Sequence, residues 1–290
     1  MTSFAIAGVQ LNASSADNID AMARQIGIIA RRFPWVDMIM FGELCALGAN
    51  PRAAETLPGP VEERFCALAR KHRVWLLPGS LYELKDGKIY NTAPVIDPHG
   101  KVVARYRKMY PFLPYERDIE AGREFVTFEI PNVAVFGVSI CYDAWFPETT
   151  RTLVWQGAEI ILHPSLTNTL DRDAELAIAR ASAAQNQCYF VDINSAGELA
   201  FGRSIVVGPE GDVIHLAGAG QEIIPVRMDL QRVRRTRAEG LHGLGQPLKS
   251  FRDGPADFPP YVQGPERSTM LRELGPLEKP GRSSVEDAAQ

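Results

Sequence analysis

The chain has 290 residues, of which 46% are hydrophobic and 23% are charged, and its net charge is −4. These values are typical of a soluble globular protein, and no basic stripe indicates a nucleic-acid surface. The cysteines are widely spaced without a CxxC pair, which argues against a zinc site or a disulfide scaffold. There is no signal-like leader and no run near the roughly 20 apolar residues of a membrane span, so we expect a cytoplasmic protein without nucleic-acid or membrane partners.

Strand-like and helix-like segments alternate along most of the chain. In the first half, apolar patterns predict strands at 4–11, 36–41, 74–82, 92–96 and 102–106, with helices at 16–32 and 60–72. The first helix is indicated by Ile19, Met22, Ile26 and Ile29, which recur at helical spacing. In the second half, the patterns predict strands at 125–130, 133–140, 159–163, 189–194, 205–208 and 213–216, with helices at 147–156 and 171–186. The pattern predicts an α/β protein made of two similar, layered halves.

The composition changes near residue 254. Residues 255–290 are rich in Pro, Gly and charge, so we expect one domain over 1–254 and then an extended tail that contacts a partner subunit or stays loose. Just before this boundary, Arg232, Arg234, Arg235 and Arg237 form a basic run. We interpret that run as a solvated helix face.

Three reactive side chains follow predicted strands directly. Glu43 comes after the strand at 36–41, Lys108 after 102–106 and Cys141 after 133–140. In open α/β architectures, ligands bind at the carboxyl ends of strands, and a carboxylate there is costly unless it is paired or used. Each residue alone fits a packing or loop role. Together they supply the nucleophile, the proton carrier and the cation of cysteine hydrolysis.

The segments around these residues resemble the carbon–nitrogen hydrolase family, the nitrilase superfamily, over about residues 3–240. The resemblance lies in Phe41-Gly42-Glu43-Leu44, Tyr106-Arg107-Lys108 and Cys141-Tyr142-Asp143. It implies a four-layer α-β-β-α sandwich and a Glu43–Lys108–Cys141 triad, and Glu116 matches the family's second glutamate. Gly42 replaces the family's usual proline, and we expect it to loosen the local backbone.

The resemblance and the residue types together imply a covalent mechanism. Cys141 attacks the substrate carbonyl, and Glu43 takes the thiol proton and returns it to the leaving nitrogen. Lys108 and the backbone N–H of Tyr142 stabilise the oxyanion. Glu116 orients the substrate nitrogen or holds Lys108, unless it is a loop carboxylate facing water. No metal or other cofactor is expected.

The substrate is a less specific prediction. Tyr142 and Asp143 follow the nucleophile where nitrile-cleaving members usually carry Trp and Glu, and N-carbamoyl-amino-acid hydrolases usually carry Asn and Asp. This form resembles amidases, and we expect a small carboxamide, with nitriles and N-carbamoyl amino acids as alternatives. By their proximity to the catalytic residues, Phe112, Tyr115 and Trp145 are candidate pocket walls, unless they serve ordinary packing.

Alternatives from other classes remain. A serine hydrolase is disfavoured because the sequence contains no G-x-S-x-G. A catalytically inactive binding or regulatory protein on the same fold is disfavoured because all four motif residues are present. Transfer of the acyl group to an amine instead of water stays open. The resemblance also implies a homodimer or higher homo-oligomer that uses the helix after the nucleophile.

Overall fold

Two β-sheets pack face to face between two pairs of helices. The computed structural model describes residues 3–264, 267–274 and 276–277. The strands are β1 (Ser3–Gln10), β2 (Asn12–Ala13), β3 (Met38–Phe41), β4 (Trp75–Leu77), β5 (Leu81–Lys85), β6 (Lys88–Ile96), β7 (Val102–Arg107), β8 (Val126–Ile130), β9 (Ala134–Val138), β10 (Ile160–Ser165), β11 (Tyr189–Asn194), β12 (Ala196–Gly197), β13 (Ile205–Val207), β14 (Val213–Leu216) and β15 (Glu222–Asp229). The helices are α1 (Ile19–Arg32), α2 (Pro60–His72), α3 (Pro147–Trp155), α4 (Arg172–Asn186), α5 (Leu230–Glu239), α6 (Pro247–Asp253), α7 (Pro259–Val262) and α8 (Thr269–Arg272).

The two large sheets correspond to the two halves of the sequence. The first has the order β15-β1-β3-β4-β6-β5, with β7 also paired to β6, and the second has the order β14-β13-β11-β10-β9-β8. The centre of each sheet is parallel: β1, β3 and β4 in the first sheet, and β9, β10 and β11 in the second. The carboxyl ends of the central strands therefore lie along one edge of each sheet.

Alternating side chains along a strand contact different layers. In β3, Met38 and Met40 belong to the apolar cluster between the sheets, whereas Ile39 and Phe41 pack with α1 and α2. In the second sheet, Leu162 faces the central cluster and Ile161 packs toward α3 and α4. This period of two places buried side chains on both faces of each sheet. The predicted four-layer α-β-β-α sandwich is confirmed.

Most predicted elements lie within a few residues of the observed ones, with two informative exceptions. The predicted strand at 74–82 is interrupted, because Pro78 has no backbone N–H and Gly79 takes φ +84° where its Cα faces the carbonyl oxygen of Gly42. Strand β15 has no counterpart in the prediction. It contains Pro225, which is tolerated because β15 is an edge strand that pairs only with β1.

The arginine run is only partly a solvated helix face: Arg234 and Arg235 are exposed, whereas Arg232 and Arg237 are half-buried. Arg232 pairs with Asp212, and Arg234 pairs with Glu159. Arg237 donates to the carbonyl oxygens of Ala158 and Gln187. These arginines therefore fasten α5 to the second sheet and its loops.

The described part of the tail contacts its own chain. The Tyr261 hydroxyl lies 3.3 Å from Glu148 Oε1 in α3. The Phe258 ring stacks at 5.7 Å on Phe251 of α6, which itself lies 5.1 Å from the guanidinium of Arg151 in α3. Part of the predicted tail lies outside the described residues, and its contact with a partner stays a prediction. Within the described ranges, no helix combines the length and apolar character needed to cross a membrane.

Candidate active site

The three reactive side chains meet where their strands end. Glu43 follows β3 after one residue, Lys108 follows β7 directly, and Cys141 begins a 3₁₀ turn, Cys141–Trp145, after β9. The Nζ atom of Lys108 lies 2.9 Å from Glu43 Oε1 and 2.8 Å from Glu116 Oε2. The structure thus brings Glu116 to the cluster as well, and it is not a loop carboxylate facing water.

Backbone and amide groups fix the position of each charged side chain. The backbone N–H of Lys108 donates to Asn91 O, and Asn91 Nδ2 donates to Glu43 Oε1 at 2.7 Å. Glu116 Oε2 accepts a second hydrogen bond from Phe112 N at 2.6 Å. The lysine is therefore held between two carboxylates that are themselves restrained.

Burial and charge shift the proton affinities of all three groups. Burial raises the pKa of Glu43, and the nearby Lys108 ammonium offsets this only in part. The pKa of the Cys141 thiol is also raised, first by burial and then by the Glu43 carboxylate. Burial alone would lower the pKa of Lys108, but Glu43, Cys141 and Glu116 together raise it well above its ordinary value. The cluster therefore contains a cation that stays protonated, a carboxylate with a raised proton affinity, and a thiol that needs a base to lose its proton.

The nucleophile position has a strained backbone. Cys141 has φ +46°, a conformation that costs a non-glycine residue about 1–3 kcal/mol. Its Sγ lies 3.8 Å from the carbonyl oxygen of Leu166. Tyr142 follows in the first turn of the 3₁₀ segment, where backbone N–H groups have no partner inside the helix. That N–H therefore has no partner inside the helix, and its role as an oxyanion donor stays a prediction.

A buried carboxylate, Asp143, ties the cysteine segment to the lysine segment. Its Oδ2 accepts hydrogen bonds from Ile140 N at 2.8 Å and from the Tyr106 hydroxyl at 2.7 Å. Its Oδ1 accepts one from Tyr110 N at 2.9 Å. Residues 106 and 110 flank Lys108, and residue 140 precedes Cys141. One side chain therefore sets the spacing between the cation and the nucleophile.

The cluster opens into a pocket of about 970 Å³. Among its walls are the aromatic side chains of Phe112, Tyr115 and Tyr142, with the Phe112 ring 5.0 Å from each of the other two rings. Trp145 does not line the pocket, unlike in our prediction. Its Nε1 instead lies 3.5 Å from Glu175 Oε1, so it supports the wall from behind.

Gly42 does not loosen the backbone before the catalytic glutamate. A Cβ atom at this position would lie 2.9 Å from Ser195 Oγ and 3.0 Å from Ser165 O. The next residue, Glu43, donates its backbone N–H to the same Ser165 oxygen. The glycine therefore permits a close approach between the ends of β3 and the second sheet, and our expectation of looseness is wrong.

The remaining cysteines and a nearby histidine lie outside the reacting cluster. Cys45 and Cys188 are fully buried, and burial raises the pKa of each thiol to about 12. Cys66 is half-buried in α2. His163 is buried, with its Nδ1 2.7 Å from Ser139 Oγ, and burial lowers its pKa to about 3. Within the described residues, no group of three or more His, Cys, Asp or Glu side chains could hold a metal ion.

A family model described as carbon–nitrogen hydrolase matches residues 5–238. The chain belongs to the carbon–nitrogen hydrolase family. Its relatives include an omega-amidase, NIT2, of Homo sapiens, which is 29% identical over 82% of this chain and 93% of the relative. The NIT2 omega-amidase of Xenopus tropicalis is 30% identical over 65% of this chain and 74% of the relative.

Solved structures show the same fold. Saccharomyces cerevisiae Nit3, a member of branch 10 of the nitrilase superfamily, superposes with a TM-score of 0.76 at 28% identity, covering 82% of this chain and 94% of Nit3. A carbon–nitrogen hydrolase of Helicobacter pylori superposes with a TM-score of 0.76 at 24% identity, covering 89% of this chain and 97% of the other. The protein is therefore a hydrolase of carbon–nitrogen bonds other than peptide bonds.

Sequence analysis missed three supporting residues of this carbon–nitrogen hydrolase. Asn91 orients Glu43, and Asp143 joins the segments that carry Lys108 and Cys141. Glu175 lines the pocket while it accepts hydrogen bonds from Thr167 Oγ1 and Arg172 Nη1. Only Asp143 lies within a motif that the sequence indicated. The other two come from a strand and a helix distant in sequence, so only the fold shows that they belong to the site.

Proposed function

We propose that the protein is an amidase that converts a small carboxamide to its carboxylic acid and ammonia through a thioester on Cys141. One observation carries this proposal: the ammonium of Lys108 is fixed between Glu43 and Glu116, beside Cys141, at the base of the pocket. Amides are poor electrophiles with a poor leaving group. A site that cleaves them must supply a nucleophile, oxyanion stabilisation and a proton for nitrogen.

Acylation uses each of these groups once. The Cys141 thiol gives its proton to Glu43 as Sγ forms a bond to the carbonyl carbon, and the carbonyl electrons move to oxygen. Lys108 and the backbone N–H of Tyr142 stabilise that oxyanion, and each such donor typically contributes a factor of about 10²–10³ in rate. The intermediate then collapses as Glu43 returns its proton to nitrogen. The C–N bond breaks, ammonia leaves and the acyl group stays on sulfur.

Deacylation reverses the roles of the same groups. Water enters the space left by ammonia and gives a proton to Glu43 as its oxygen attacks the thioester carbon. The C–S bond then breaks, the acid leaves, and the proton on Glu43 returns to the Cys141 sulfur. A carboxyl group that alternates between base and acid works best with a pKa nearer neutrality. The raised pKa of Glu43 fits that requirement.

Glu116 serves this cycle by holding the cation. Its Oε2 contacts both Lys108 Nζ and the backbone N–H of Phe112. Because the phenyl ring of Phe112 forms part of the pocket wall, Glu116 links the oxyanion-binding cation to the surface that contacts the acyl group. We assign Glu116 to the placement of Lys108.

The relatives support an amide substrate, since curated proteins similar to this chain are named omega-amidases. Nitriles and N-carbamoyl amino acids are the alternatives within the family. Acyl transfer to an amine shares the same thioester. An inactive binding protein fits poorly, because all four groups of the cluster are present and paired in a pocket.

Ammonia release from a panel of primary amides, nitriles and N-carbamoyl amino acids tests the proposal. We expect turnover of amides, its loss in Cys141→Ser, and an acyl adduct on Cys141 in intact-mass spectra of quenched reactions. Cys66→Ser is the matched control, because it alters a half-buried thiol that lies outside the pocket, and it should retain activity. Full ammonia release by Cys141→Ser, or turnover of nitriles without amides, would refute the proposed function.

We also propose that the protein assembles as a homo-oligomer through α3. That helix follows the catalytic 3₁₀ turn, and Trp155 at its end is 83% exposed. The molar mass in solution of the full chain and of Trp155→Glu tests this. An oligomer that the substitution dissociates supports the proposal, and a monomeric full chain refutes it.

A further inference from the structure

The pocket of this carbon–nitrogen hydrolase has an uneven balance of charge. Its lining includes five carboxylates, from Glu43, Glu116, Asp118, Asp171 and Glu175. Among the described residues of that lining, Lys108 is the only cationic side chain. A ligand that enters the pocket therefore meets several negative groups and a single positive one.

The one cation among the described residues of this lining, the ammonium of Lys108, already has carboxylate partners. Lys108 is 2% exposed, and its three donors serve the Glu43 and Glu116 carboxylates and the developing oxyanion. Burial lowers the proton affinity of an ammonium, yet the surrounding negative groups raise the pKa of Lys108 well above its ordinary value. Two carboxyl groups thus face one ammonium at the base of the pocket, so no positive charge is left over for the carboxylate of a ligand.

Among the residues that the structure describes, the arginine behind the wall is already paired with carboxylates. The guanidinium of Arg172, which lies in α4 with Glu175, pairs with Glu175 at 3.0 Å and with Asp192 at 2.8 Å, and its Nη2 donates to a backbone oxygen. Two carboxylates thus share one buried arginine. Arg172 itself is not part of the pocket lining, and it only partly neutralises the negative charge that Glu175 contributes to the wall.

The mouth of the pocket is negative as well. Asp118 is exposed, and Asp171 accepts a hydrogen bond from the hydroxyl of Thr169. Neither carboxylate forms an ion pair with a Lys, Arg or His within the described part of the chain. The lining also includes the apolar side chains of Leu44, Ile119 and Leu166. Apolar walls and two aspartates in one pocket suit a short methylene chain that ends in a cation.

We propose that this pocket selects its substrate by charge: it binds best an amide whose acyl chain ends in a cationic group, and it discriminates against one that ends in a carboxylate. The inference rests on the proposed amidase function for turnover, but it concerns binding and can be measured without turnover. A carboxylate at the end of the substrate's acyl chain would enter a negative, partly desolvated cavity. Among the described lining residues, the only cation is Lys108, which is already paired. An ammonium at the same position would lie near Asp118 and Asp171.

Three amides of similar length isolate the charge. They are 4-aminobutanamide, pentanamide and the monoamide of butanedioic acid, which end in an ammonium, a methyl group and a carboxylate. Calorimetry with the Cys141→Ala variant measures their binding without hydrolysis. We expect the cationic amide to bind at least tenfold more tightly than the anionic one, equivalent to about 1.4 kcal/mol, and the neutral amide to lie between them. The difference should narrow as salt is added.

Variants at the mouth test which residues create the preference. Asp118→Asn combined with Asp171→Asn in the Cys141→Ala background should reduce the ratio of cationic to anionic affinity several-fold. Asp86→Asn is the control, because Asp86 lies in the turn between β5 and β6 and is not part of the lining. It should leave the ratio unchanged.

Binding and turnover distinguish the two proposals. The expected order of affinities without hydrolysis of any amide by the unsubstituted enzyme would refute the amidase proposal and support charge selection. Hydrolysis of all three amides with equal affinities, or with the anionic amide bound most tightly, would refute charge selection and leave the amidase proposal intact. An unchanged affinity ratio in the double variant would refute the role of the two aspartates.

Discussion

A substitution at Asp143 can distinguish an effect on the placement of the proposed catalytic groups from an effect on the stability of the fold. Asp143 is fully buried, and its carboxylate accepts three hydrogen bonds, from Ile140 N, Tyr110 N and the Tyr106 hydroxyl. Asp143→Asn keeps the shape of the side chain but replaces one acceptor oxygen with a donor. The variant best retains its oxygen at the Oδ2 position, which serves two donors, so its NH₂ group then faces Tyr110 N.

The structure allows the effect on stability to be worked out. Burial raises the pKa of Asp143 from 3.8 to about 6, so ionisation near neutral pH costs the folded state about 3 kcal/mol relative to the unfolded chain. Asn does not incur that cost. Against this, leaving the Tyr110 N–H buried without an acceptor costs about 1–3 kcal/mol. The two effects largely cancel, and the free energy of unfolding should change by less than about 2 kcal/mol.

Activity should respond differently, because those hydrogen bonds set the separation between Lys108 and Cys141. Misplacement of reacting groups by about 1 Å can reduce the rate about 10²-fold, so we expect kcat to fall at least tenfold in Asp143→Asn. Tyr106→Phe also removes one of the bonds but leaves the carboxylate charged. It should therefore cost more stability, about 1.5–3 kcal/mol, and also lower kcat.

Urea unfolding and steady-state kinetics on the same preparations check this reasoning. The control is Glu62→Gln, which weakens a buried carboxylate's pair with Arg105 away from the pocket and should lower stability without a comparable loss of kcat. An Asp143→Asn enzyme with unchanged kcat would show that the carboxylate does not place the catalytic groups. A loss of several kcal/mol with no specific effect on kcat would indicate a purely structural role.

Three further predictions concern the charged and buried groups around the pocket. Glu116→Gln should lower kcat about 10–100-fold, because Lys108 loses a hydrogen bond to a charged partner that is worth about 1.5–3 kcal/mol. Steady-state kinetics near neutral pH measure this effect, and an unchanged kcat would contradict the prediction. As the pH is lowered, kcat/KM should begin to fall at a pH above the ordinary carboxyl pKa, because the raised pKa of Glu43 means that this base is protonated at a higher pH. A decrease centred on an ordinary carboxyl pKa would contradict the role of Glu43 as the base. Because burial lowers the pKa of His163 from 6.5 to about 3, the unfolded chain binds a proton in this interval that the folded chain does not, and stability is lost as the pH falls through it. Urea unfolding measures this effect by comparing the wild type with His163→Gln, in which Ser139 loses its imidazole partner. Between about pH 7 and about pH 4, the free energy of unfolding of the wild type should fall by about 3 kcal/mol more than that of the variant. Equal decreases in the two proteins would exclude the contribution of His163.

The layered fold could be predicted because burial imposes a simple period on each element. The α2 bounds were predicted correctly, since Pro60 marks the first turn and apolar residues recur on one face. Strand β15 was not predicted, because an edge strand with one covered face has no continuous apolar run. In addition, Pro225 is a residue that usually indicates the end of a strand. The sequence predicts solvated arginines in α5, because it does not show which carboxylates and carbonyl oxygens lie next to that helix in the folded chain.

The candidate site shows the same division between local and long-range information. Glu43, Lys108 and Cys141 each follow a strand, so motif and strand end together place them in the sequence. The sequence does not show that one ammonium will bridge two carboxylates, because that depends on the register between strands far apart in the chain. The charge of a pocket is likewise a sum over loops and helices from both halves of the fold. The proposed catalytic groups are thus encoded locally, whereas the proposed substrate preference depends on tertiary structure and must be tested at residues outside the motifs.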